Sequence, residues 1–213
     1  MTVDRLTVGA VMTNCYIVSD RETRDAVVID PGASAEKIAG KIREKGLIPK
    51  AILLTHGHFD HIMAAEKLRQ EFAVKLYCSE AEREICMDTE LNMGRAFGFL
   101  SSVVPDETFK DGQELIFGSL SCKVIATPGH TRGGVCFYFD GEGILFSGDT
   151  LFFESVGRTD FPGGNAKVLI ESIKGQLFVL PDTTKVYPGH GSFTDIAYEK
   201  MNNPYVNEEG YLY

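Results

Sequence analysis

The stretch KAILLTHGHFDHIMAAEKLRQEF, residues 50–72, decides how the rest of the chain is read. Ala51–Leu54 is a short apolar run of the kind that forms a buried strand. It runs into a loop, Thr55-His56-Gly57-His58-Phe59-Asp60-His61. From His61 the apolar positions Ile62, Ala65, Leu68 and Phe72 recur at helical spacing. His56 and His58 are one residue apart, so an extended loop projects both to the same side. Asp60 and His61 follow at the start of the predicted helix. One strand–loop–helix unit thus offers four candidate metal ligands at the end of a buried strand.

The flanks repeat this logic. Before residue 50, VDRLTV (3–8), NCYIVSD (14–20) and DAVVIDPG (25–32) read as strands separated by charged turns. Ser34 is an expected N-cap, Ile38 and Ile42 share a helical face, and Gly46 is a stop signal. After residue 72, VKLYC (74–78) is a strand, and Ser79 with Glu82 reads as a capping box opening a helix through Cys86. The pattern restarts after Asn92 with strands ELIFG (114–118), LSCKVIATPG (120–129), VCFYFDG (135–141) and GILFSGD (143–149). A Gly/Pro-rich loop at 155–164 precedes a helix from Asn165, with Ala166, Ile170, Ile173 and Leu177 on one face. TKVYPGH (184–190) is a last strand, and 194–202 a final helix. The expected architecture is a single α/β domain over 1–213. It has two similar halves, about 1–104 and 105–213, packed as a four-layer αββα sandwich with the site at the strand ends.

Composition narrows the function. The 213 residues carry 44% hydrophobic and 24% charged side chains, which fits one folded domain and excludes disorder or a coiled coil. A formal charge of −9 argues against nucleic acid or an anionic membrane surface as partner. No run of apolar residues is long enough to span a bilayer, and the N-terminus lacks the apolar core of a secretory signal. The five cysteines, Cys15, Cys78, Cys86, Cys122 and Cys136, include no C-x-x-C pair. They are expected to be reduced and mostly buried, in a cytoplasmic protein.

All five histidines, His56, His58, His61, His130 and His190, fall in Gly-rich loops after predicted buried strands, or just beyond one. Gly57, Gly129, Gly189 and Gly191 are expected to let the backbone turn there. Asp149, in FSGDT, is a second carboxylate at a strand end. Imidazole and carboxylate donors without thiolate suit a catalytic zinc, manganese or iron rather than a structural zinc.

THGHFDH, Pro128-Gly129-His130, Gly148-Asp149-Thr150 and Pro188-Gly189-His190 together resemble the metallo-β-lactamase-fold superfamily, over a match running from Asp30-Pro31-Gly32 to His190. The resemblance implies two divalent metal ions, with zinc favoured and iron or manganese as alternatives. By the same resemblance His56, His58 and His130 hold the first ion and Asp60, His61 and His190 the second, while Asp149 bridges them. Asp30 then supports the site from a turn without ligating.

Two such metals lower the pKa of a water toward about 7, polarise a carbonyl and remove the need for a protein nucleophile. No G-x-S-x-G elbow is present. Asp60 is the expected catalytic residue, ligating one metal and aiming the hydroxide. With no evident acid for the leaving group, a thiolate of reference pKa near 8.5 is the favoured departing group, so the expected activity is thioester hydrolysis.

GDTLFFESVGRTDFPGG (148–164) resembles the short glyoxalase II-like (hydroxyacylglutathione hydrolase-like) hydrolases. Arg158 matches a substrate-contacting basic position of that group; a loop ion pair to Glu154 or Asp160 is the competing reading of the same residue. Full-length enzymes carry an aromatic residue where Asp160 stands, and an acidic–aromatic pair where Gly191 and Ser192 follow His190. They also carry a C-terminal glutathione-binding helical domain, where 23 residues follow His190 here. The expected partner is therefore a small-molecule thioester with weak dependence on its peptide part. A mononuclear iron persulfide dioxygenase of the same fold is the alternative. A nuclease is disfavoured by charge, and an exported β-lactamase by the N-terminus. The tail residues Tyr205, Tyr211, Leu212 and Tyr213 are a candidate docking segment.

Overall fold

A computed structural model describes residues 1–207. Strands β1 (Thr2–Val8), β2 (Thr13–Ser19), β3 (Asp25–Ile29), β4 (Ile48–Leu53), β5 (Lys75–Ser79) and β6 (Glu107–Phe109) form the first sheet, in that order. Strands β7 (Glu114–Phe117), β8 (Leu120–Ala126), β9 (Val135–Phe139), β10 (Ile144–Gly148), β13 (Lys185–Pro188) and β14 (Thr194–Asp195) form the second, ordered β14-β13-β10-β9-β8-β7. A short hairpin, β11 (Leu151–Phe152) and β12 (Ser155–Val156), lies within the stretch read as loop. The first sheet ends with β6, and the second begins with β7, after Phe109.

Strand alternation builds the four layers. Tyr16, Val18, Val27, Ile29, Ala51 and Leu53 face Val124, Phe137 and Phe146 between the sheets. Their neighbours Ile17, Val28 and Ile52 face outward onto α1 (Ala35–Glu44), α2 (Phe59–Ile62) and α3 (Ala65–Phe72), through Ile38, Ile42, Ile62 and Leu68. On the other side Cys136, Tyr138 and Leu145 meet α5 (Ala166–Ser172) and α6 (Ile196–Asn202) through Leu169 and Ile196. The expected αββα sandwich is thus present, with three apolar cores filling its three interlayer spaces. All five cysteines are free and buried in these layers.

Local readings differ in instructive places. Asn165 caps α5 by accepting from the Val168 N–H. Ser34 precedes α1 in the left-handed region and makes no capping bond. The buried face after Asn165 is Leu169, Ile173 and Leu177, with Ala166 and Ile170 only partly covered, and a π-helical turn spans Ile173–Leu177. The helix after His58 begins at Phe59 and breaks at Met63-Ala64. No helix among the described residues is long and apolar enough to cross a membrane. Tyr205 lies on α7 (Pro204–Asn207), 44% exposed, whereas Tyr211, Leu212 and Tyr213 fall outside the described residues.

Candidate metal centre

Each candidate ligand follows the C-terminal end of a strand: His56 to His61 after β4, His130 after β8, Asp149 after β10 and His190 after β13. Because β10 runs antiparallel to β9, as β8 does, and parallel to β13, these three strands of the second sheet end on the same side. The two sheets are tied where their loops meet. The Tyr16 hydroxyl donates to the Pro188 carbonyl at 2.6 Å, Asn14 N–H donates to the Gly189 carbonyl at 2.7 Å, and Val135 N–H donates to the Thr55 carbonyl at 2.9 Å.

Three groups of three donors lie within ligating distance among the described residues: His56, His58 and His130; Asp60, His61 and His190; and Asp30 with His56 and His61. Asp149 lies between the first two. Its Oδ1 is 3.4 Å from His61 Nε2, and its Oδ2 is 3.6 Å from His130 Nε2 and 3.5 Å from His190 Nε2. His58 Nδ1 and His130 Nε2 face each other at 2.9 Å, a pair that either shares one proton or shares one ion. His56 Nε2, His58 Nε2, His61 Nε2 and Asp149 Oδ1 are buried without a hydrogen-bond partner. Buried polar atoms are nearly always satisfied, so several orphans within one nitrogen- and oxygen-lined cluster fit divalent cations. All seven residues named as ligands from the sequence are brought together here.

The electrostatics differ between the groups. Burial drives the His56 imidazole well below its ordinary value and His58 to about 3, and it lowers His130 as well. These three are neutral, ready donors. In the other group burial also opposes charge, but Asp60, Asp149 and Asp30 outweigh it and raise His61 well above its ordinary value. His190 is raised in the same way, chiefly by Asp60. Burial pushes Asp60 up, yet His61 and His190 hold it down at about 2.

Supporting residues orient the donors. Asp30, buried at a positive φ of 50°, accepts from Thr55 N–H at 2.8 Å and from the Thr55 hydroxyl at 2.6 Å. It also sits 3.0 Å from His61 Nδ1, which turns His61 Nε2 toward Asp60 and Asp149. Both Asp30 oxygens are thus engaged away from the cluster centre, although it lies within reach of His56 and His61. His130 Nδ1 donates to the Arg158 carbonyl at 2.7 Å, and Thr13 Oγ1 donates to Asp60 Oδ2 at 2.8 Å. Gly129 has the expected positive φ, 135°, whereas Gly189 is needed for space: a Cβ there would lie 2.2 Å from Asp149 Oδ1.

Glu82 does not serve the expected capping box. The residues do open a helix, a 3₁₀ turn followed by α4 (Arg83–Met87), but Ser79 makes no capping bond. Instead Glu82, fully buried, accepts from Gly57 N–H at 2.7 Å with one oxygen and from Gly133 N–H at 2.8 Å with the other. Ser79 Oγ donates to the Gly133 carbonyl at 2.6 Å. One carboxylate therefore fastens the loop of His56 and His58 to the loop of His130, although His58 and His130 are 72 residues apart in the chain. Burial raises its pKa on balance, against the Thr131 hydroxyl and the two amides. The only sequence signal was a carboxylate preceding an apolar helix, which a cap explains equally well.

The centre opens into a pocket of about 350 Å³. His58, Asp60, His130, Asp149 and His190 form its floor; Val11, Met93, Phe97, Phe152, Val156 and Phe161 form most of its wall. Arg158 borders it, but its Nε and Nη2 bind Asp160 at 2.8 and 2.7 Å, and its guanidinium lies 3.7 Å over the Phe161 ring.

With this geometry established, comparison with known proteins places the chain: residues 8–190 match the metallo-beta-lactamase superfamily, and the chain belongs to it. It is 36% identical to hydroxyacylglutathione hydrolase GloC of Haemophilus influenzae, over 98% of this chain and 100% of that one. Among solved structures it resembles BLEG-1 B3 metallo-beta-lactamase, at TM-score 0.93 and 36% identity, covering 97% of this chain and 100% of that one. It also resembles TTHA1623 in a di-iron-bound form, at TM-score 0.86 and 38% identity, covering 95% and 100%. The protein is a metal-dependent hydrolase of this superfamily.

Proposed function

We infer that the protein is a glyoxalase II-like thioester hydrolase working with two divalent metals, zinc favoured over iron or manganese. The observation that carries this reading is the pairing of two ligand triads around Asp149 in a cluster with orphaned donors. His56, His58 and His130 would hold one ion and Asp60, His61 and His190 the other, with Asp149 shared. Bound there, the ions supply Lewis acidity and bring the pKa of a water toward about 7.

The chain's own residues do the rest. Asp60, kept ionised and fixed by Thr13, is placed to accept a hydrogen bond from the attacking oxygen and so orient it. Asp30 and the Arg158 carbonyl hold His61 and His130 in single ring orientations. Phe97, Phe152 and Phe161 exclude water around the reacting carbonyl. Arg158 borders the substrate. Among the described residues that line the pocket, no side chain outside the ligand set stands ready as a further acid, which suits a thiolate leaving group. The similarity to GloC supports the thioester class. A small-molecule substrate and a cytoplasmic setting complete the reading.

The test is zinc-loaded protein on a panel containing S-lactoylglutathione, simple thioesters, a β-lactam and glutathione persulfide. Metal-dependent thiol release from the thioesters is expected. Oxygen uptake with the persulfide by protein holding a single iron would replace this reading with the dioxygenase, and β-lactam turnover alone would replace it with a lactamase.

A further inference from the structure

We propose that the pocket selects thioesters whose larger, non-reacting half is apolar and uncharged, and that Asp160 enforces this by withholding Arg158 from anionic substrates. The inference rests on the thioesterase reading and deepens it.

The pocket wall supplies the first observation. Beyond the ligand-bearing floor it is built from aliphatic and aromatic side chains on three separate segments: Val11 from the β1–β2 turn, Met93 and Phe97 from the segment after α4, and Phe152, Val156 and Phe161 after Asp149. Phe97 and Val11 are 50% and 43% exposed. Covering them with an apolar ligand removes that surface from water, whereas a carboxylate laid against them is desolvated with no partner.

The second observation is the state of the bordering cation. Among the described residues that line the pocket, Arg158 is the one basic side chain other than histidine. Asp160 already fills its fork with two parallel hydrogen bonds, the geometry a substrate carboxylate would need. The guanidinium face is stacked on Phe161. Asp160 is two residues away on the same chain, so its effective concentration is about millimolar or higher. A free carboxylate at lower concentration competes poorly for the Nε–Nη2 edge that Asp160 occupies.

The experiment uses the zinc-loaded full chain and two matched pairs of esters. One pair is the acetyl thioesters of benzyl and 4-carboxybenzyl mercaptan. The other is the S-methyl thioesters of phenylacetic and 4-carboxyphenylacetic acid. In at least one pair wild type should favour the uncharged ester by about tenfold or more in kcat/KM, through KM rather than kcat. Asp160→Asn should move that ratio about fivefold or more toward the carboxylated ester, as Arg158 is freed. Binding of the corresponding ketones, with a methylene replacing the thioester sulfur, is followed in parallel by ligand-observed NMR. It should show the same order and the same shift. Equal or reversed preference in both pairs overturns the apolar assignment. An unchanged ratio in Asp160→Asn overturns the withholding role. If no ester is hydrolysed, the thioesterase reading fails, and the ketone order alone upholds or overturns the polarity of the pocket.

Discussion

The two ligand triads sit side by side yet are built on opposite principles. His56, His58 and His130 are three nearly inaccessible imidazoles, kept neutral by burial and held by loops that Glu82 fastens to each other. Asp60, His61 and His190 mix an ionised carboxylate with two imidazoles whose pKa values neighbouring carboxylates raise, and open to solvent at His190, whose side chain is 25% exposed. The contrast shows how one cluster can have a preformed compartment and an adjustable one. The first triad is set by burial and by the Glu82 carboxylate that anchors its two loops. The second is set by charge, and its donors must release protons before they can ligate.

The sharpest way to break the comparison is to remove what the triads share. Asp149→Ala should deplete both metals together and cut thioesterase activity by about a thousandfold, the loss of several kcal/mol of charge stabilisation. Elemental analysis that found one triad still full would show that Asp149 serves only one side. His190→Ala should empty the second triad first and leave the first near full occupancy. Retention of both metals and full turnover would overturn the ligand assignment.

The supporting residues separate the triads next. Glu82→Gln places an amide N–H against one of two backbone donors, so it should weaken metal binding at the first triad by about 10- to 100-fold and spare the second. Asp30→Asn should do the reverse, since Asp30 orients His61. Stepwise cobalt titration, followed by the visible spectrum, reads both; identical losses at both steps in both variants would mean that these carboxylates only stabilise the fold. The smallest effect is in pH. In the metal-free chain the surrounding carboxylates raise the pKa of His61, favouring its protonated form, and burial lowers those of His56 and His58, favouring their neutral form. Affinity at the second triad should therefore rise by about tenfold per pH unit for each proton released while the first stays nearly flat between pH 6 and 8. Equal slopes would remove the distinction.

The donors were legible in the sequence because their signal is local. A histidine or aspartate directly after a buried strand, beside glycine or proline, marks a strand-end loop wherever the strand lies, so seven separate positions could be named without knowing how the strands are ordered. The layers were legible for the same reason: alternation such as Tyr16, Ile17 and Val18 encodes two buried faces within three residues. β6 and the β11–β12 hairpin were not, being only two or three residues long and too short to show a period.

What the sequence by itself determined is the chemistry on offer: the donor types, their placement at strand ends, and a sandwich to carry them. Tertiary structure alone decided how those donors are used. Glu82 reads as a helix cap until Gly57 and Gly133 arrive at its two oxygens. Val11, Met93, Phe97 and Phe152 have no local pattern that joins them, and three segments bring them into one wall. Arg158 reads as a substrate cation, or as one partner of a loop ion pair, until its rotamer meets both Asp160 and Phe161. A buried carboxylate, an apolar wall and a cation are defined by what surrounds them, and those neighbours come from chain segments that no local pattern connects.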